Sequence, residues 1–336
     1  MRIRLAFRSP LAWLALLALP SLAGASTPRS APDALPTPAA AVEELLATDR
    51  AFAAASARAD VVAGLAPMLS EEIVMPSPPG RLVRGRAAVL DALRGNLASE
   101  PGASEHVASR PPDRGRARGN PDNAAGRVEW APVRGGVSAD GLHGFTFGFM
   151  TLHRADGTTI PLKYLSYWIR EDGEWRVAAY KRGRRPEGAV STDLLPPALP
   201  ARLVPPTRDA AALAAHRESL AAAEQAFSDE AQRIGLGPAF ARWGSADAMN
   251  LGGPDSPGFV LGAEAIGRTI GAGDPASSVH WSAEEVRVAS SGDLGVSLGW
   301  IRLHEKGEVG GERPPIPFFT VWRRSGPGEP WRYVAE

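Results

Sequence analysis

Apolar positions recur at helical spacing twice in the chain, and each time a series of strand-like segments follows. Val42, Leu45, Leu46, Asp49, Phe52, Ala53 and Ser56 fall on one stripe of 3.6-residue period; Leu213, Leu220, Glu224, Phe227 and Ala231 repeat it. Both stripes carry an acid three residues before a Phe. A glycine then precedes each of two short apolar-periodic helices, at Arg84-Gly85-Arg86 and Leu261-Gly262-Ala263. The strand-like segments also correspond. Val128-Glu129-Trp130 matches Val279-His280-Trp281. Phe147 to His153 matches Leu298 to His304, Tyr164 to Arg170 matches Phe318 to Arg324, and Trp175-Arg176 matches Trp331-Arg332. Glu171-Asp172-Gly173-Glu174 and Ser325-Gly326-Pro327-Gly328 have hairpin-turn composition. Helices first and antiparallel strands after is the order of an α+β domain, here present twice.

Two stretches interrupt the pattern. Residues 26–40 are rich in Pro, Ser, Thr and Ala and read as a tether; residues 184–208 hold six prolines and read as the linker between a first domain, 41–183, and a second, 209–336. Residues 110–127 contain five Arg and no large apolar side chain, which predicts a loop without a core role. The first 25 residues have another pattern: Arg2, Arg4 and Arg8, the apolar run Leu11 to Leu19, then Ala23-Gly24-Ala25. That is the layout of a signal peptide, so a periplasmic or secreted location is expected.

Composition narrows the function classes. Lys+Arg and Asp+Glu are 37 each, so the balanced charge gives no reason to expect a nucleic-acid partner, nor a membrane partner beyond the signal peptide. With no Cys, disulfides and thiolate chemistry are excluded. The six His are scattered without metal-ligand spacing, so no metal and no cofactor are expected.

The ordered set resembles the SnoaL-like branch of the nuclear-transport-factor-2-like superfamily, in tandem. It comprises acid-x-x-Phe on a helix, a Gly-led short helix, V-x-W, S-G-D-L-G at Ser291 to Gly295, V-W-R-R at Val321 to Arg324, and W-R-x-V-A-E at Trp331 to Glu336. The resemblance implies two cone-shaped α+β domains, each with helices packed on a curved antiparallel sheet around a pocket. It also implies sheets that pair, here the two repeats within one chain. Its enzymes use a buried acid or base, whereas other members only bind or assemble. The expected function is therefore binding of a small apolar or amphipathic molecule. The alternatives are a cofactor-free lyase, isomerase or cyclase, or an assembly module.

Candidate catalytic groups are Asp49, His143 and His280. Asp49 and its counterpart Glu224 sit on apolar stripes, and occurrence in both repeats favours a structural role for them. His143 and His280 each occur in one repeat only. Candidate pocket residues are Trp130, Phe147, Tyr164, Trp168, Trp281, Trp300 and Trp322. His153 and His304 are expected at hairpin ends. Asp247 lies in a loop where some relatives place a working acid. Glu336 stands five residues after the last Trp, where the family commonly has an acid, at an end expected to fray.

Overall fold

The computed structural model describes residues 35–77, 80–95, 125–272, 277–304 and 314–336. The signal-peptide expectation lies outside them, as does most of the Arg-rich loop. The first repeat comprises α1 (Pro38–Ser56), α2 (Val61–Leu65), β1 (Leu69–Ser77), β2 (Arg81–Arg84), α3 (Arg86–Arg94), β3 (Arg127–Val137), β4 (His143–His153), β5 (Thr159–Glu171) and β6 (Glu174–Arg184). The second comprises α4 (Ala210–Ile234), α5 (Leu236–Trp243), β7 (Gly244–Asn250), β8 (Val260–Leu261), α6 (Ala263–Ile270), β9 (Val279–Val288), β10 (Leu294–Leu303), β11 (Ile316–Arg323) and β12 (Arg332–Ala335).

Local chemistry starts the helices. Thr37 caps α1 by accepting from the Ala40 amide, with Pro38 in the first turn, so the helix begins inside the stretch read as tether. Asp209 caps α4. Gly85 and Gly262 precede α3 and α6 at φ 82° and 84°, in the left-handed region that favours glycine. Asp172 and Gly173 both take positive φ in the β5–β6 turn, as a two-residue hairpin requires.

The two sheets have the same order, β2-β1-β6-β5-β4-β3 and β8-β7-β12-β11-β10-β9. The fold is α+β in both halves, as the resemblance implies. One feature differs from an all-antiparallel sheet: β1 runs parallel to β6, and β7 to β12. The helix, hairpin and remaining strands between the members of each pair supply the long crossover that parallel strands need. Bulges recur at matching places. One leaves Ala178 of β6 unpaired opposite Tyr167–Trp168 and Val334 of β12 unpaired opposite Val321–Trp322; another falls at Val133 in β3 and at Glu284 in β9. Such bulges bend a sheet and raise its twist.

Each sheet packs one face on its own helices, α1 against β3 and α4 against β9. A third apolar cluster draws on the opposite faces of both sheets, including Phe145, Phe147, Leu165 and Tyr167 from one repeat and Val296, Leu298, Phe319 and Val321 from the other. Polar bonds cross the same junction. Arg134 Nη2 lies 2.5 Å from Asp247 Oδ2, Lys163 Nζ donates to the Ser256 and Gly258 carbonyls at 2.8 and 3.0 Å, and Lys181 Nζ donates to the Phe319 carbonyl at 3.1 Å.

The proline-rich segment does more than connect. The Leu195 and Ala198 amides donate to the Val133 and Gly135 carbonyls, and the Val137 amide donates to Ala198. The linker thereby covers the free edge of β3, a strand edge otherwise open to pairing with another chain. Gly136 permits the approach: a Cβ there would meet the Phe145 ring at 2.4 Å and the Ala198 carbonyl at 2.9 Å.

Candidate functional site

The inner faces of the two repeats hold matching buried carboxylates. In α1, Val42, Leu45, Leu46 and Asp49 form the inward stripe, which carries Asp49 to zero exposure. Its Oδ1 accepts from Trp130 Nε1 at 2.7 Å and its Oδ2 from the Tyr164 hydroxyl at 2.8 Å. Trp168 Nε1 donates to Thr146 Oγ1 at 2.9 Å, and Phe52 stacks on the Trp168 ring with centroids 6.2 Å apart. In the second repeat Glu224, 1% exposed, takes the same place on α4. It accepts from Trp281 Nε1 at 2.7 Å, Trp322 Nε1 at 2.9 Å and the Ser297 hydroxyl. Phe227 packs edge-on against Trp281 and Trp322. Burial pushes the Asp49 carboxyl above the usual carboxylate range and the Glu224 carboxyl up to about 7; the donated hydrogen bonds oppose both shifts.

Trp130, Tyr164, Trp168, Trp281 and Trp322 are thus all on inner faces, at 8% exposure or less. Phe147 is not. Thr146 faces inward, and side chains alternate along a strand, so Phe145 and Phe147 point towards the other repeat. The Phe147 ring lies 5.5 Å from that of Phe259. Trp300 shares its strand face with Leu298 and donates from its indole to Glu284.

The three candidate catalytic groups occupy three separate places. His143 begins β4, at the turn that meets the second repeat. Its Nδ1 is 2.8 Å from the Tyr167 hydroxyl, and burial lowers its pKa against the opposing Asp140 and Asp293 charges. His280 lies on β9 with its ring 4.9 Å from that of His304, whose Nε2 contacts Gln232. His153 sits 3.3 Å from Glu129. Asp247 is engaged by Arg134 across the repeats. Glu336 is not frayed: its amide and carbonyl bond to Met249 and Leu251, and its carboxylate accepts from Asn250.

A cavity of about 600 Å³ opens elsewhere, where the linker crosses the second repeat. Linker residues Leu199 to Arg202 and Val204 form one wall. The β9–β10 turn contributes Ser291 and Asp293, and the end of β11 contributes Arg323 and Arg324. The β11–β12 turn, Arg332 and Val334 of β12 and Ser245 of β7 complete the second repeat's share, and Ala139 enters from the first. The two β-turns at its edge are tied reciprocally. Asp293 accepts from the Ala139 amide at 3.0 Å and the Ser291 hydroxyl at 2.5 Å, while Asp140 accepts from the Ser290 hydroxyl at 2.8 Å.

Arg323 donates from Nη2 to the Val137 and Ala198 carbonyls at 2.7 and 3.1 Å. Its Nη1 is 3.8 Å from Asp293, and its Nε has no hydrogen-bond partner. Arg324 donates to the Gly292 carbonyl at 2.6 Å and to the Ser219 hydroxyl at 3.0 Å, with its guanidinium 4.3 Å from the Trp331 ring centroid. Sequence reasoning missed this site. Val321 to Arg324 stood out as a motif, but only the fold brings its arginines together with the linker and the 291–293 turn.

No family model and no curated protein sequence matches the chain. Solved structures with similarity to it include an NTF2-like protein of unknown function from Pseudomonas putida, 12% identical over 48% of this chain and 96% of that one, with a TM-score of 0.30. A second is an LEH-like epoxide hydrolase of Mycobacterium tuberculosis, at 13%, 42% and 82%, with a TM-score of 0.27. A third is a ketosteroid isomerase-like protein from Erwinia carotovora atroseptica, at 15%, 42% and 96%, also with a TM-score of 0.27.

Proposed function

We propose that the protein binds a small amphipathic molecule in the cavity between the linker and the second repeat, as a binding protein rather than a catalyst. The observation that carries this reading is a contrast in access. The two buried carboxylates are at most 1% exposed and bonded to their own tryptophans, whereas the cavity offers about 600 Å³ with apolar and polar walls. The basic, apolar and small-residue order of the first 25 residues supports an exported protein. An enzyme-like alternative draws on Glu224, whose carboxyl at about 7 is tuned to the range general bases use. Against it stand the three donors already directed at that carboxylate.

Native mass spectrometry of gently purified full chain tests the binding reading. A retained small-molecule mass is expected, and Leu199→Trp, which fills the cavity from the partly exposed linker, should abolish it. A clean protein mass, with no gain in melting temperature from any amphipathic probe, overturns the reading. Export is checked by cell fractionation, where full-length chain confined to the cytoplasm counts against it.

A further inference from the structure

Charge is unevenly distributed around the cavity. Its lining residues include Arg202, Arg323, Arg324 and Arg332 but only one carboxylate, Asp293. Asp293 is itself committed, accepting from the Ala139 amide and the Ser291 hydroxyl, and it stands 3.8 Å from the nearest Arg323 nitrogen. Arg324 is held by a carbonyl, a hydroxyl and an indole face, and by His216 Nδ1 at 3.3 Å; none of these is an anion. Arg332 is exposed and makes no ion pair among the described residues. Arg323 is thus ion-paired with Asp293, whereas the buried Arg324 has no carboxylate at ion-pair distance among the described residues; a buried charge without a counter-ion is costly, and an incoming anion would offset that cost. The guanidinium fork matches the two oxygens of a carboxylate. Leu199, Pro200, Val204, Pro327 and Val334 supply the apolar remainder of the lining, which suits a hydrocarbon tail and not a bare inorganic ion.

We infer that the cavity takes an organic acid, whose carboxylate meets the buried Arg324 and the exposed Arg332 beside the half-buried Arg323 and whose tail lies along the linker. This assignment rests on the binding reading above and names the chemical class of its ligand. Unlike the buried carboxylates, the Arg332 side chain has no hydrogen-bond or ion-pair partner among the described residues, so its replacement tests recognition without unfolding the chain.

Calorimetry on the full chain at neutral pH, with octanoate, 1-octanol and inorganic phosphate as probes, decides the matter. Octanoate should bind at least about tenfold more tightly than octanol, the difference one charge-assisted hydrogen bond supplies. Raising the salt concentration should narrow that gap. Arg332→Gln should collapse it, with the melting temperature unchanged. Equal affinities for octanoate and octanol overturn the acid assignment and leave the binding reading standing. Binding of neither organic probe overturns both. Phosphate that displaces octanoate at comparable concentration overturns the organic acid in favour of a simple anion site.

Discussion

Asp49 and Glu224 occupy equivalent places in two copies of one fold, yet they are satisfied differently. Asp49 is shorter by one methylene. It accepts from Trp130 and from Tyr164, with Thr146 alongside, and Trp168 donates to Thr146, whereas in the second repeat Trp322 reaches both Glu224 and Ser297. Glu224 reaches further into its domain and takes Trp281, Trp322 and the Ser297 hydroxyl directly. The position of Tyr164 is filled by Phe318 in the second repeat, so the tyrosine donor has no counterpart there. The repeats therefore share a requirement, a buried acceptor for the indole groups of β3 and β9, and meet it with a different side-chain length and donor set. A carboxylate engaged in this way works as an internal fastener between helix and sheet.

The largest effect is expected from truncating the fasteners. Glu224→Ala leaves two indole donors and a hydroxyl unsatisfied and opens a cavity, for a loss of about 3–5 kcal/mol. Asp49→Ala strands the Trp130 and Tyr164 donors and a Thr146 contact but removes less volume, so its loss should be smaller, about 2–4 kcal/mol. Urea unfolding of both variants measures the difference, and equal losses would break the proposed contrast.

The effect of pH should come next in size. Folded Glu224 keeps its proton up to about pH 7, whereas in the unfolded chain it titrates near the ordinary 4.5. Between those values the folded state binds the additional proton, so stability is full below about 4.5 and is lost as pH rises through about 7. The span corresponds to about 3 kcal/mol. Glu224→Gln, which carries no titrating proton, should flatten the slope in thermal melts across that window. Burial shifts Asp49 in the same direction, so the slope that remains in the variant reports the first repeat.

The smallest effect should come from exchanging the tyrosine donor that only the first repeat has. Tyr164→Phe gives the first repeat the residue of the second and removes one hydrogen bond to a carboxylate, at about 1–2 kcal/mol. Phe318→Tyr must find an acceptor for a new hydroxyl beside a Glu224 that already takes three donors, so it should destabilise rather than stabilise. A stabilised Phe318→Tyr chain would show that Glu224 has spare acceptor capacity.

Much of this was legible one residue at a time. The 3.6-residue stripe that includes Asp49 and Glu224 already implied that both acids turn inward, and their repetition favoured a structural role. The V-x-W and V-W-R-R correspondences located the strands that carry Trp130, Trp281 and Trp322. Other features were not legible. The face of β4 was misassigned because Phe145, Phe147 and Phe149 look like a core stripe; Thr146 and Met150, on the less conspicuous face, line the domain interior instead. Both faces of that sheet are buried, and where both faces are apolar, alternation does not say which is inner. The parallel pairs β1–β6 and β7–β12 join segments far apart in sequence, where no local pattern records the pairing.

Periodicity, caps and turn residues are local, acting within a few positions of one another. They were enough to dictate two α+β repeats and the inward turn of the two acids, but not the start of the first helix at Thr37, inside the stretch read as tether. The linker strapped along β3, the indole each acid receives and the arginine-lined cavity depend on groups brought together from opposite ends of the chain. Those were decided by packing, because only the folded backbone sets Ala139, Leu199, Asp293 and Arg323 around one space.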